Sequence, residues 1–211
     1  DTGGPLMTGP AWTQADYVDF FSRATGGMAP HPWQLELAAH ESCSNRLVRI
    51  PTGFGKTLGV LLAWLYHAQH RGDSRWPRRL ALTLPMRVLV EQSDHAVREV
   101  LGRLGVLWDG KTEATRTGKV GVHLLMGGAN AGEWYLHPEQ LSVLICTQDM
   151  ALSRALNRGY AVPRARWPVE FGLLNQDTLW VLDEVQLMDV GLATSAQLQA
   201  FRGDDAQRGR S

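Results

Sequence analysis

Residues 51–57 read Pro51-Thr52-Gly53-Phe54-Gly55-Lys56-Thr57, between an apolar run at 47–50 and a long helical pattern that starts at Lys56. Glycines let the backbone curl so that successive N–H groups point at one anion, and a helix start adds partial positive charge. In such a loop Lys56 reaches the β- and γ-phosphates of a nucleotide, and the Thr57 hydroxyl binds magnesium. The stretch therefore predicts a phosphate-binding loop between a strand and a helix. A glycine-rich turn without a ligand is the alternative.

The rest of the chain alternates short apolar runs with longer helical patterns, which is typical of a parallel sheet covered by helices. The predicted strands are 47–50, 80–84, 120–125, 143–146 and 178–182. The predicted helices are 56–70, 86–104, a short helix capped by Asp149 that ends at Leu156, and 191–201, with loops at 108–118 and 158–168. The predicted fold class is α/β.

A second motif lies at the end of the last predicted strand, where Asp183-Glu184-Val185-Gln186 follows an apolar run. Two carboxylates at the end of a buried strand suit a Walker B site. There Asp183 would hold the shell of a magnesium ion, and Glu184 would orient or deprotonate the attacking water. An Asp-Glu pair after a strand can also be a solvated turn, so its pairing with the loop at Lys56 carries the prediction.

Composition excludes several classes of protein. The 211 residues include 21 Lys and Arg against 21 Asp and Glu, so any nucleic-acid contact must be local. Two distant cysteines form neither a disulfide framework nor a metal cluster, which favours a reducing cytoplasm. The sequence lacks a secretory signal pattern and an apolar run of bilayer length, so we expect a soluble protein with no membrane partner.

The loop and the Asp-Glu box together resemble superfamily 2 helicases, whose motif I is Pro-Thr-Gly-x-Gly-Lys-Thr and whose motif II is Asp-Glu-x-x. The resemblance implies ATP and magnesium as cofactors on a RecA-like domain. The stretch His31-Pro32-Trp33-Gln34 resembles the adenine-recognising Q motif of the same family, and a Pro-Trp pair at the start of a packed helix is the alternative. The nucleotide-binding residues that the resemblance implies are Gln34, Thr52, Gly53, Phe54, Gly55, Lys56 and Thr57.

Weaker motifs follow in the order of the same family. The stretch 84–92, which contains Arg87, resembles motif Ia; Gly127-Gly128 resembles the glycine doublet; and Thr147-Gln148 resembles motif Ib. The resemblance implies that Arg87, Gly127, Gly128, Thr147 and Gln148 contact the backbone of single-stranded DNA. Most stretches like 84–92 are merely helix starts, and tight turns at strand ends explain the other two motifs equally well when each is taken alone.

Gln186 stands where the named box subfamilies carry Asp or His, and it would couple hydrolysis to movement. The runs 182–188 and 191–198 are similar to the CRISPR-associated helicase-nuclease of type I systems, most of all to subtype I-G, formerly I-U. That resemblance covers roughly 28–202. It implies a 3′ to 5′ motor on displaced single-stranded DNA, recruited by an RNA-guided CRISPR surveillance complex. Another superfamily 2 DNA or RNA helicase, a restriction-type translocase and a non-hydrolysing nucleotide sensor are the alternatives.

The family pattern is incomplete in this sequence. No motif III strand, second motor domain or His-Asp nuclease signature is identified, and the chain starts at Asp1. We therefore expect a fragment of a longer protein, with an N-terminal extension at 1–27, a truncated first motor domain at 28–202 and a polar tail at 203–211. We expect little hydrolysis and poor stability from the isolated chain. No backbone ladder should fill the slot between the predicted strands 47–50 and 178–182.

Overall fold

A computed structural model of the chain describes residues 10–51, 53–110, 117–127, 134–160 and 162–207. The strands are β1 (Arg79–Leu84), β2 (Gly121–Leu125), β3 (Ser142–Thr147) and β4 (Thr178–Leu182). The helices are α1 (Gln14–Thr25), α2 (Pro32–Ala38), α3 (Lys56–Leu65), α4 (Arg87–Arg103), α5 (Gln148–Ala155), α6 (Trp167–Asn175) and α7 (Val190–Gln207). A π-helical turn, Tyr66–His70, extends α3, and short 3₁₀ turns cover Trp134–Leu136, Arg164–Arg166 and Val185–Leu187.

The four strands form one parallel sheet in the order β2-β3-β1-β4. Leu82 of β1 is in register with Ile145 of β3 on one side and with Val181 of β4 on the other. The strands β1 and β3 read as nearly continuous apolar runs because helices cover both faces of the sheet. The predicted α/β class with a parallel sheet is therefore confirmed.

Alternate residues of the strands enter two hydrophobic clusters on opposite faces of the sheet. Leu80 and Leu82 pack with α1, α3 and α4, whereas Ala81 packs with α5 and α6. In the first cluster, the α1 rings of Tyr17 and Phe20 are buried against the π-helical turn. The stretch before residue 28, which we expected to be an extension, thus contributes a helix to the main core.

The predicted strand at 47–50 is wrong. These residues form no strand and join no ladder, and Leu47 is 73% exposed. The sheet ends at β4, whose second edge pairs with no residue in the described part of the chain. An apolar run forms a strand only when a neighbour takes its backbone hydrogen bonds, and here no neighbour lies beside it. The expectation that no ladder fills this slot is confirmed for the described residues, since the chain after residue 190 is helical.

Several boundaries also differ from the predictions. The helix expected to be capped by Asp149 begins at Gln148, with Thr147 in the N-cap position. α6 was not predicted, although Pro168 is well suited to a first helical turn. The last helix continues to Gln207, into the stretch expected to be a polar tail. Of the described helices, none combines the length and the apolar composition needed to cross a bilayer.

Candidate functional site

The glycine-rich loop lies directly before α3, as the sequence predicted. Gly55 occupies the N-cap position with φ 66°, a left-handed conformation that glycine adopts without a steric penalty. No side chain caps the first turn of α3, so its backbone N–H groups remain available to an anion. Thr52, also predicted to line this site, lies outside the described residues. The local structure is that of an anion-binding helix start.

The short helix α2 supports this loop from behind. Gln34 is 1% exposed; its Oε1 accepts a hydrogen bond from the His31 N–H at 2.8 Å, and its Nε2 donates to the Gly55 carbonyl at 3.2 Å. Gly59 of α3 has no side chain, and this absence lets α2 approach closely. A β-carbon at Gly59 would collide with the Trp33 ring. Gln34 therefore contacts the loop itself, and both ends of its amide are engaged within the protein.

The Asp-Glu box lies beside the loop at the carboxyl end of β4. The Asp183 N–H donates to the Thr83 carbonyl at 3.1 Å, which continues the β1–β4 ladder by one residue and fixes the carboxylate. One Asp183 oxygen accepts from the Glu184 N–H at 2.9 Å, and the other accepts from the Thr57 hydroxyl. The loop and the box, which are far apart in sequence, are thus joined by a direct hydrogen bond.

Glu184 completes the cluster from a left-handed backbone conformation, with φ 53°. One of its carboxylate oxygens lies 3.6 Å from Lys56 Nζ, and the other accepts a hydrogen bond from the Gln186 amide. The side chains of Lys56 and Glu184 are each about a quarter exposed, so solvent still reaches the pair. A cation, a hydroxyl and two carboxylates therefore meet at one sheet edge.

The donor set of this cluster suits magnesium. The Thr57 hydroxyl and the Asp183 carboxylate are hard oxygen donors that already lie within hydrogen-bond reach of each other. Mg²⁺ keeps several waters and normally takes only one or two protein carboxylates, so a larger cluster of acidic ligands is not needed. Thr57 and Asp183 are accordingly the residues that would hold the ion.

Two cavities flank the loop. One, of about 350 Å³, lies between α3 and α4 and is lined by Lys56, Thr57, Asp183 and Glu184 together with Gln92 and Ser93 of α4. The other, of about 510 Å³, lies between residues 42–48 and β4. Sequence reasoning did not assign Gln92 and Ser93 to the site. Their only signal was their place on the helix after Arg87, one to two turns further along.

The predicted nucleic-acid contacts lie along the carboxyl edge of β1, β2 and β3, which are neighbours in the sheet. Arg87 is the exposed first residue of α4, and Thr147 precedes α5. Gly127 follows β2, whereas Gly128 lies outside the described residues. The Gln148 side chain instead packs against the backbone of Gly191, and its buried Oε1 has no hydrogen-bond partner. Arg87 and Thr147 are thus better placed than Gln148 to meet an external ligand.

Comparison with known protein families gives one match. The family model described as DEAD/DEAH box helicase matches residues 34–204, a range that starts at Gln34 and includes the loop, the Asp-Glu box and the carboxyl-edge residues. No curated protein matches the chain significantly.

Proposed function

The chain belongs to the DEAD/DEAH box helicase family and is a helicase-type ATP-binding motor domain, and from that premise we propose that it serves a translocase acting on single-stranded DNA. The observation that carries the nucleotide site is the hydrogen bond from Thr57 to Asp183, because it joins the loop to the Asp-Glu box. Both motifs lie at the carboxyl edge of a parallel sheet, where ligands of open α/β folds bind.

We assign the roles in this site as follows. The N–H groups at the start of α3 hold the phosphates, and Lys56 exchanges its contact with Glu184 for the β- and γ-phosphate oxygens. Thr57 and Asp183 would hold magnesium, which would neutralise phosphate charge. Glu184, released from Lys56 and still held by the Gln186 amide, orients the attacking water. The coupling role of Gln186 stays a proposal, which its hydrogen bond to Glu184 supports.

Calorimetric titration with ATP and magnesium tests the nucleotide site. Lys56→Ala removes the cation nearest the helix start, and we expect it to abolish measurable binding. Lys119→Ala is the matched control, because this lysine lies before β2, where it donates to the Gly105 carbonyl. Equal affinity in wild type and Lys56→Ala, with both folded by circular dichroism, would reject the assignment.

We also propose that this chain alone hydrolyses ATP slowly. In the family that the sequence resembles, a second motor domain supplies an arginine finger, which is worth on the order of a thousandfold or more in rate. Steady-state phosphate release with and without DNA checks this. Rapid DNA-stimulated turnover by this chain would show that hydrolysis does not need an arginine finger from a second motor domain.

Glu184 argues against a non-hydrolysing sensor, since a protein that only binds nucleotide needs no carboxylate near the attacking water.

DNA binding is proposed for the edge that carries Arg87 and Thr147. The 17-residue helix α4 starts there with an exposed arginine, and a helix start and a cation both favour a backbone phosphate. In fluorescence anisotropy with a single-stranded oligonucleotide, Arg87→Ala should weaken binding. The slope of log affinity against log salt concentration should become less steep by about one, the value of a single phosphate contact. Arg158→Ala, an exposed arginine after α5, is the control. Unchanged affinity and slope in Arg87→Ala would place the strand elsewhere.

A role in type I CRISPR interference remains a proposal that only the resemblance at 182–198 supports. It predicts preference for DNA over an RNA of the same sequence, and binding to an RNA-guided surveillance complex. It also predicts that the coding sequence containing this chain encodes a His-Asp nuclease. Equal binding of RNA, or a coding sequence without that nuclease, would favour another superfamily 2 helicase or a restriction-type translocase.

A further inference from the structure

The amide of Gln34, to which the resemblance gives adenine recognition, is turned into the protein. A glutamine amide offers two donor hydrogens and two acceptor lone pairs. Here the oxygen accepts from the His31 N–H at 2.8 Å, the nitrogen donates to the Gly55 carbonyl at 3.2 Å, and the residue is 1% exposed. A ligand cannot reach the remaining donor and acceptor of a side chain buried to this degree.

Two exposed rings lie next to Gln34 on the outer side of the loop. Phe54 sits between the two loop glycines and is 47% exposed, and the exposed ring of His31 lies 5.4 Å from it, centroid to centroid, at 51°. Among the described residues, neither ring belongs to a hydrophobic cluster of the core. Phe54 therefore contacts the His31 ring but leaves about half of its surface exposed, next to the glycine that precedes α3.

On the premise that the site binds nucleotides, we propose that the base stacks on the exposed ring of Phe54, beside His31, and that Gln34 positions the phosphate loop instead of reading adenine. Stacking depends on the ring face, which every base has, and tolerates changes in the hydrogen-bonding edge. The site consequently accepts purine nucleoside triphosphates with little selectivity between adenine and guanine.

The contact of Gln34 with Gly55 explains how a buried amide affects ligands that it does not touch. Gly55 directly precedes Lys56, and its left-handed conformation sets the direction in which the first N–H groups of α3 point. The hydrogen bond to the Gly55 carbonyl holds that conformation from the side of α2. Loss of this bond should lower the affinity for every phosphate-containing ligand and leave the ratio of ATP to GTP affinity unchanged.

Competition titrations with ATP, GTP and inorganic tripolyphosphate, all with magnesium, test the proposal on the whole chain. In wild type, ATP and GTP should bind within about threefold of each other, and both should bind more tightly than tripolyphosphate. Phe54→Ala should weaken ATP and GTP by about fivefold to a hundredfold and leave tripolyphosphate unchanged. Phe171→Ala, which removes a partly exposed phenylalanine from α6, is the matched control and should change none of the three.

Gln34→Met separates positioning from base reading, because it keeps the length of the side chain and removes both hydrogen bonds. It should weaken all three ligands by the same factor, so that the ratio of ATP to GTP affinity stays as in wild type. A preference for ATP of tenfold or more in wild type that Gln34→Met abolishes would overturn the inference. So would equal ATP affinity in wild type and Phe54→Ala. Failure of ATP and tripolyphosphate alike to bind in a Lys56-dependent manner would instead reject the proposed nucleotide site.

Discussion

His67 shows how packing around α3 fixes the protonation state of a single residue. Its ring is fully buried and stacks on Trp76, with centroids 4.3 Å apart and planes 1° from parallel. Nε2 donates to the Ala38 carbonyl at 2.8 Å, and Nδ1 accepts from the Arg71 guanidinium at 2.8 Å. Burial, assisted by the charge of Arg71, lowers the pKa of His67 to about 4. The residue is therefore neutral at neutral pH.

This shift predicts a loss of stability in acid. The unfolded chain binds the proton near the ordinary pKa of 6.5, whereas the folded chain resists it until about 4. The contribution of His67 is therefore complete above 6.5 and falls as the pH drops toward 4, by at most about 1.4 kcal/mol per unit. We expect the free energy of unfolding, measured in urea at several pH values, to fall less steeply with decreasing pH in His67→Gln than in wild type. Identical slopes over this window would mean that other groups cause the acid sensitivity.

At the site, sequence reasoning predicted residue types better than orientations. Lys56, Thr57, Asp183 and Glu184 were named from their places after a loop or a strand, and the structure brings them together. The direction of the Gln34 amide depends on the packing of α2 on α3, which no local pattern encodes. The Phe54–His31 ring pair was not expected for the same reason, because its members belong to separate segments.

At the scale of elements, a buried ion network joins α5 to α6. Arg154 Nε lies 2.6 Å from one oxygen of Glu170, and Arg166 Nη2 lies 2.6 Å from the other. The side chains of Arg154 and Glu170 are almost fully buried, and the Arg166 guanidinium also lies 3.9 Å from the centre of the Tyr135 ring. Removal of the Glu170 carboxylate leaves the buried Arg154 charged and without an ion pair.

Glu170→Ala should therefore lower the free energy of unfolding by about 3–5 kcal/mol. Glu99→Ala is the matched control, because Glu99 pairs with Arg103 one helical turn away and both side chains are largely exposed. That substitution should cost no more than about 0.5 kcal/mol. Guanidinium unfolding of both variants checks the difference. Equal losses would show that solvent reaches the Glu170 network.

Elements with a strong local pattern were predicted correctly, whereas elements that depend on distant contacts were not. Four of the five predicted strands exist, and each was recognisable from a local apolar run. Of these, β1 and β3 are buried almost throughout, whereas every residue of the edge strand β4 is only partly buried. The segment 47–50 is also mostly apolar, although it contains Arg49. A strand needs a neighbour, however, and the neighbour is a property of the whole sheet. We did not predict α6 because arginines come directly before it and Pro168 and Gly172 lie within it; its buried Glu170 pairs with an arginine of α5, which no local pattern shows.

In the whole molecule, the outer edge of β4 is open, because no strand in the described part of the chain pairs with it. Its backbone groups face the cavity of about 510 Å³, whose other wall is residues 42–48. An exposed strand edge next to apolar side chains favours pairing with another chain. Leu47, on the far wall, adds an apolar surface to the same region.

We therefore predict that the chain self-associates as its concentration rises, as measured by sedimentation velocity. Leu47→Lys should reduce this association, because a charge beside an open edge opposes strand pairing. Its effect on the melting temperature should be small, since Leu47 is mostly exposed. Gln69→Lys, on the remote π-helical turn, adds the same charge elsewhere and should change little. A chain that stays monomeric at all concentrations would show that the edge is protected.

If the loop and the Asp-Glu box form one site for nucleotide and magnesium, Asp183 should affect ATP binding only through the ion. The most direct test is the ATP affinity with and without magnesium, in wild type and in Asp183→Asn. We predict that magnesium tightens ATP binding in wild type, and that Asp183→Asn removes this gain without weakening metal-free binding, because Asp183 holds the ion and not the phosphates. An equal gain from magnesium in the two proteins would mean that Asp183 does not hold the ion, and the loop and the box would then not form one site.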